Sequence, residues 1–367
     1  MLLLTGPPAS GKTSFCLGEL RECLRKNRSD CRLLLPTTTM AEHLRNELAR
    51  EGLVFPPRMV STFGKFVSDY SKDLCAVSSS SLEMIVEEQL ARLPDGRYSR
   101  VREFPGFRSA VMRAIEEFSG AGGTEIHLSA TDPEFAAVSK ATNAELALRK
   151  QYSRAARLRR AAEEIGRQAV PGKIWISGFF GFTPPELDVL LALDKRCDLT
   201  VTLADSAATA AALASLRMVA PSERRLESNR TEPDRVLVTA STADAEANEI
   251  ARRILELRNK GRAFREIGII VRSENPSVPA LRDGFERFGI PYRSYFAQPL
   301  RADATVRYLL GLVDAALSGW EFDRSLPVLR MHGSPLEVHG DQFEYEVFRS
   351  MPGRLRSPES ARRKCSR

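Results

Sequence analysis

The chain has 367 residues, 43% of them hydrophobic and 28% charged, with a formal net charge of +7. That length exceeds one typical domain and allows two or three, each with its own core, and no apolar run approaches the roughly twenty residues of a membrane span. The six cysteines form no C-x-x-C pair and the four histidines are scattered, which argues against a zinc or iron–sulfur site and for reduced, mostly buried thiols. The positive balance suits a polyanionic partner such as nucleic acid.

The first residues, MLLLTG, carry no basic segment ahead of the apolar run and lead directly into a glycine loop. They read as a buried strand and not as an export signal, so a cytoplasmic location is expected. Helical spacing of Phe15, Leu17, Leu20, Cys23 and Leu24 follows, giving strand, loop, helix. A second unit repeats the pattern, with a strand at 32–35, a Pro36-Thr37-Thr38-Thr39 turn and a helix over 41–51; a third, from Arg58 to Tyr70, reads as strand then helix. This repetition predicts a parallel α/β sheet with helices on both faces.

From Ser78 to about Pro171 long amphipathic helices dominate, including one predicted over 144–169. This stretch is expected as a helical insertion. The sheet resumes with strands at 173–179 and 198–203. Residues 206–234 shift from alanine-rich to charged and read as a linker. A further α/β unit is expected beyond it, with strands at 235–238 and 267–272 and helices over 243–257 and 278–288. The expected domains are therefore 1–77 with 172–205 (sheet), 78–171 (insertion), 206–234 (linker), 235–348 (second α/β unit, incomplete) and 349–367. That last stretch has seven basic residues against one acid and reads as a disordered tail.

Gly6-x-x-x-x-Gly11-Lys12-Thr13 matches the full Walker A pattern of P-loop nucleoside triphosphatases. Such glycines let backbone N–H groups turn inward around phosphate, with Ser10 in the loop, Lys12 reaching the β- and γ-phosphates and Thr13 Oγ1 ligating Mg²⁺ at a helix N-terminus. ATP and Mg²⁺ are the expected cofactors. Hydrolysis also needs an acid, usually an Asp at the end of a nearby buried strand, to hold the metal and orient water. The best candidate strand, Ile174-Trp175-Ile176, ends in Ser177-Gly178-Phe179 with no carboxylate. Glu186 and Asp188 follow a Thr-Pro-Pro helix start and read as helix-terminus acids. The alternative is Asp205, at the end of the next strand.

The loop, the Leu33-Leu34-Leu35-Pro36-Thr37-Thr38-Thr39 segment, Ser61-Thr62-Phe63-Gly64-Lys65-Phe66 and Gly178-Phe179-Phe180-Gly181-Phe182-Thr183-Pro184 come in the order seen in superfamily 1 helicases. With Ala245–Ile250, Gly268–Arg272 and Phe288–Tyr292, the chain most resembles the AddB-type, RecB-like subunit of bacterial helicase–nuclease complexes, over residues 1–345. The resemblance implies a RecA-like P-loop domain with a helical insertion, followed by part of a second motor-like domain. It also implies a role at DNA double-strand breaks, on duplex ends and single strands, beside an AddA-type helicase–nuclease subunit. In this type the helicase fold persists while motor motifs have decayed, which fits Ser177. By the same analogy Thr37, Thr38, Thr62 and Phe63 line a single-strand channel, with Phe63 near a base; turn and helix-cap roles are the alternative for the threonines. Arg272 would approach a phosphate, or remain a solvated strand-end residue. Such proteins run on to a nuclease module, so a truncated or split member without nuclease activity is expected here. A free-standing DNA-dependent ATPase using Asp205, a small-molecule kinase and a decayed remnant are the competing readings.

Overall fold

The computed structural model describes residues 1–123, 132–228, 233–296 and 300–331, with Ser334, Asp341, Gln342 and Tyr345. The expected basic tail, 349–367, lies outside the described residues. The chain divides into two compact units, Met1–Pro233 and Asp234–Arg367.

The first unit is built on six parallel strands: β1 (Leu2–Thr5), β2 (Cys31–Leu35), β3 (Val60–Thr62), β6 (Lys173–Phe179), β7 (Asp198–Leu203) and β8 (Ser222–Arg225). Their order in the sheet is β3-β2-β6-β7-β1-β8. Strands buried on both faces read as continuous apolar runs, and Leu2-Leu3-Leu4 and Leu33-Leu34-Leu35 are of that kind. Alternate residues serve opposite layers. Cys31, Leu33, Leu35 and Trp175 pack against α1 (Lys12–Arg25) and α2 (Thr38–Arg50). Leu3, Leu34, Ile174 and Ile176 pack against α3 (Phe63–Tyr70), and also meet helices from later in the chain.

Two differences from the sequence expectation concern where elements end. The helix predicted over 144–169 is two. After α4 (Ser79–Ala91) and α5 (Pro105–Gly120), helix α6 (Pro133–Leu148) stops, and α7 (Arg154–Arg167) starts at Ser153, whose side chain accepts from Ala156 N. Lys150 between them has φ +54, a turn conformation, and β5 (Gln151–Tyr152) pairs in parallel with β4 (Cys75–Ala76). The insertion therefore closes at its base by a two-stranded ribbon and has its own core, from Leu82, Ile85, Val86, Val111, Ile115, Val138 and Leu146. Helix α7 instead belongs to the sheet, where Leu158, Ala161 and Ile165 join α8 (Pro184–Asp194) and α9 (Ala210–Arg217) on the α3 side.

The second difference is β8. Ser222-Glu223-Arg224-Arg225 falls in the expected linker, yet it pairs in parallel with β1, Leu2 opposite Ser222 through Thr5 opposite Arg225. It carries no apolar residue because it is an edge strand exposed along its length, and charged edges discourage pairing with foreign strands.

In the second unit α10 (Ala243–Asn259) and α11 (Ser277–Phe288) pack through Ala247, Ala251, Ile254, Ala280, Leu281 and Phe285. Gly284 lies against Ala247, and Gly289 ends α11 in the left-handed conformation. Helices α12 (Ala304–Leu317) and α13 (Phe322–Leu329) approach closely at Gly311 and Val328. The expected strands at 235–238 and 267–272 form no ladder among the described residues. Ile267 and Val271 pack on the α10–α11 cluster, while Ile270 between them is 99% exposed. The β-branched, apolar run is present, but a strand lacking a hydrogen-bonded neighbour leaves its backbone to water and is not stable as sheet. The second unit is thus helical among its described residues, a correction to the expected second α/β domain.

Trp175 is the largest fully buried side chain of the α1–α2 layer. Its Nε1–H donates to Glu19 Oε2 on α1 at 2.6 Å, so sheet and helix are joined by a hydrogen bond as well as by area. Trp175→Ala is expected to cost about 3–5 kcal/mol in denaturant unfolding of the first unit, whereas Phe180→Ala, at an exposed position, is expected within about 0.5 kcal/mol of wild type.

Candidate nucleotide-binding site

All six strands are parallel, so their C-terminal ends share one edge, where ligands of open α/β sheets bind. That edge carries Gly6–Lys12 after β1, Pro36–Thr39 after β2, Phe63 after β3, Phe180 after β6 and Ala204-Asp205 after β7.

The Gly6 loop is shaped by its neighbours. Gly6 O accepts from Asp205 N at 2.8 Å, and Thr5 O accepts from Leu226 N at 2.8 Å. Gly6 has φ +150, and a Cβ there would stand 2.3 Å from Leu226 O, so only glycine fits between the ends of β7 and β8. The loop then turns, Ser10 N donating to Pro7 O at 3.2 Å, with Ala9 (φ +65) and Gly11 (φ +84) in the left-handed region. Helix α1 begins at Lys12 with no side-chain cap on its N-terminus and no acid in its first turn. Its first N–H groups are therefore open to an anion, reinforced by the helix dipole.

Lys12 folds back into the loop. Its Nζ donates to Gly6 O and Pro7 O, each at 2.8 Å, and to Ser10 Oγ at 3.1 Å. All three ammonium protons are thus used. Burial lowers the Lys12 pKa below the ordinary lysine value, partly offset by the nearby negative charge of Asp205.

Thr13, on the first turn of α1, touches the centre of the sheet. Its Oγ1 lies 3.2 Å from Ser177 Oγ on β6, which in turn accepts from Thr202 Oγ1 on β7 at 3.1 Å. Ser177 is fully buried. Three neutral hydroxyls therefore run beneath the loop, at the place where a hydrolytic carboxylate would be expected. The alternative acid, Asp205, forms an ion pair with Arg225 at 3.1 Å. Glu186 has the helix-terminus role read from sequence: Oε2 accepts from Thr183 N at 2.9 Å and Oε1 from Arg154 at 2.7 Å.

The residues expected to line a single-strand channel divide. Thr37 and Thr62 are N-caps, accepting from Met40 N and Lys65 N respectively. Thr38 is exposed at the start of α2. Phe63 is 1% exposed and meets the Phe179 ring edge-on at 5.9 Å between centroids, so the expected contact with a base is corrected: this ring is core. Its apolar neighbours Phe66 and Val67, at helical spacing, were the sequence signal for that. Sequence reasoning missed Thr202 and Arg225. Neither belongs to a recognisable pattern, since both acquire meaning only when β7 and β8 flank β1.

Among the described residues no cluster of three or more His, Cys, Asp or Glu side chains could hold a metal ion, and no helix is long and apolar enough to cross a membrane. Burial pushes the thiols of Cys16 and Cys197 up to about 12, which keeps them neutral. No protein-family model and no curated protein matches the chain.

The glycines differ in what they tolerate. Gly11 has open space around it and a positive φ alone, while Gly6 adds a backbone collision. Gly6→Ala is expected to cost more than Gly11→Ala in urea unfolding, the latter about 1 kcal/mol, and to loosen amide-exchange protection at Leu226.

Proposed function

We propose that this chain binds ATP in the Gly6–Thr13 loop and acts as a helicase-like, scaffolding subunit in DNA double-strand-break repair, with weak or no hydrolysis. The observation that carries the reading is the Thr13–Ser177–Thr202 hydroxyl chain. A loop with a phosphate-binding sequence sits directly above a buried site furnished with hydroxyls where a motor needs an acid.

Gly6, Ser10, Gly11, Lys12 and Thr13 would hold the phosphates, by backbone N–H groups and by Lys12 once it leaves Gly6 O and Pro7 O. Thr13 and Ser177 are neutral, whereas Mg²⁺ favours carboxylate and phosphate oxygens. They fit a metal that arrives on the nucleotide, with Thr13 as its protein ligand, and not one held by the chain alone. When bound, such a metal neutralises phosphate charge.

The sequence resemblance to AddB-type subunits supplies the rest of the proposal, with DNA ends and single strands as ligands and an AddA-type helicase–nuclease subunit as partner; the cytoplasm is the location we propose for it. The sheet edge supports it to the extent that the segments carrying the resemblance, 33–39, 61–66 and 178–184, run through strand ends along the edge that also bears the loop. With Phe63 in the core, contacts to a strand at that edge fall to hydroxyls such as Thr38 and to backbone amides. The net charge of +7 favours phosphate contacts, which give salt-sensitive, sequence-tolerant binding.

The test is nucleotide binding and turnover on one purified sample, wild type beside Lys12→Ala, with and without single-stranded DNA. Lys12-dependent binding without turnover is expected; turnover that rises with DNA would refute the scaffold reading. The pH dependence has a definite sign. Because Lys12 in the free protein holds its proton less tightly than an ordinary lysine and a bound phosphate strengthens that hold, binding takes up a proton as the group begins to titrate. Affinity should therefore fall as pH rises through the free-state pKa of Lys12, beginning below the ordinary lysine value of 10.5, and Lys12→Ala should show no such limb.

A further inference from the structure

Strand β1 is flanked by β7 on one side and β8 on the other, and each flank ends in a charge. Asp205 follows β7 and donates its N–H to Gly6 O; Arg225 ends β8 opposite Thr5, and Leu226 after it closes over Gly6. The carboxylate and guanidinium meet at 3.1 Å. Their ion pair thus spans the strand that carries the loop.

The other cations on this side are committed elsewhere. Arg217 makes two bonds to Glu223, both 2.9 Å, and Glu223 also accepts from Thr5 Oγ1. Arg224 lies over the Phe15 ring at 5.2 Å. Arg225 is the arginine whose partner sits at the loop itself. That partnership is weakly held: the side chains are 68% and 31% exposed, and ion pairs so exposed contribute little stability. A guanidinium can exchange one oxyanion for another, with phosphate an equal or better match to its fork.

Asp205 acts in two opposed ways. It supports the charge on Lys12, and it repels any polyanion entering the loop. Arg225 cancels the repulsion while the site is empty and is placed to follow the incoming charge.

We infer that Asp205 and Arg225 form a charge latch across Gly6 that sets the affinity of the loop for polyphosphate, Arg225 passing from Asp205 to a phosphate oxygen when nucleotide binds. This rests on the reading of Gly6–Thr13 as a nucleotide pocket. Both are positioning residues: they alter the field at the phosphates without taking part in bond cleavage.

The experiment is a titration of the full chain with Mg·ATP, comparing wild type, Lys12→Ala, Asp205→Asn, Arg225→Ala and the Asp205→Asn/Arg225→Ala double variant. Asp205→Asn is expected to tighten binding about fivefold, the size of one unit charge removed at several ångströms in a partly solvated site. A gain of affinity cannot come from a damaged fold. Arg225→Ala is expected to weaken binding by a similar factor, and the double variant to recover much of that loss. The gain in Asp205→Asn should also shrink as salt is raised, because it is a through-space charge effect; a structural role alone would leave the difference independent of salt.

Binding that depends on Lys12 but is unchanged, within twofold, in Asp205→Asn and Arg225→Ala overturns the latch and leaves the pocket intact. Asp205→Asn that abolishes turnover without tightening binding overturns it too, and makes Asp205 the hydrolytic acid. Absence of Lys12-dependent binding in the wild type removes the pocket, and the latch with it.

Discussion

Strand β1 must be hydrogen-bonded on both edges before the loop that follows it has a defined shape. A four-residue strand has little to hold it by itself, and Leu2–Thr5 gains its position from β7 on one side and β8 on the other. Everything at the candidate site descends from that arrangement. The N–H of Asp205 and the carbonyl of Leu226, from the ends of those two neighbours, fix Gly6 between them. The position of Gly6 then decides where Lys12 Nζ finds its acceptors and where α1 begins.

The second determinant is what lies beneath α1. A buried carboxylate needs partners or a metal to offset its desolvation, whereas hydroxyls can satisfy one another. Ser177 is fully enclosed between Thr13 and Thr202 and receives a hydrogen bond from Thr202. The result is a neutral, self-satisfied floor that is stable without any ligand. The charge around the loop is displaced to its rim, where Lys12, Asp205 and Arg225 sit in partial contact with solvent. An anion entering such a site meets its electrostatics at the entrance and not at the bottom.

Much of the first unit was legible in the sequence because its strands are short, apolar and punctuated by turn residues, and because the glycine loop joins a strand to a helix. The Walker pattern identified Gly6, Gly11, Lys12 and Thr13 without help from tertiary structure. What escaped were features that exist only through pairing. Ser222–Arg225 has no apolar residue, so nothing local marks it as a strand; its place beside β1 comes from backbone hydrogen bonds. The Arg149–Ser153 break was hidden because residues on either side keep helical character, and the cap at Ser153 is a single hydroxyl. The converse holds at 267–272, where a β-branched, apolar run exists without a neighbouring strand to use it. Phe63 reads as a channel residue only by analogy, whereas its spacing to Phe66 and Val67 marks the inner face of α3.

The polar edge strand has a consequence for how the molecule comes into being. Residues 222–226 complete the cradle of a loop whose own sequence is made well before theirs. A nascent chain emerging in order from the ribosome exposes Gly6–Thr13 long before its last neighbour exists, and the intervening insertion can assemble its own core meanwhile. The pairing of Leu2 with Ser222 joins opposite ends of the unit; such distant contacts are entropically costly and form late. The glycine loop is therefore translated well before it can mature, so the finished loop reports that the whole unit has closed.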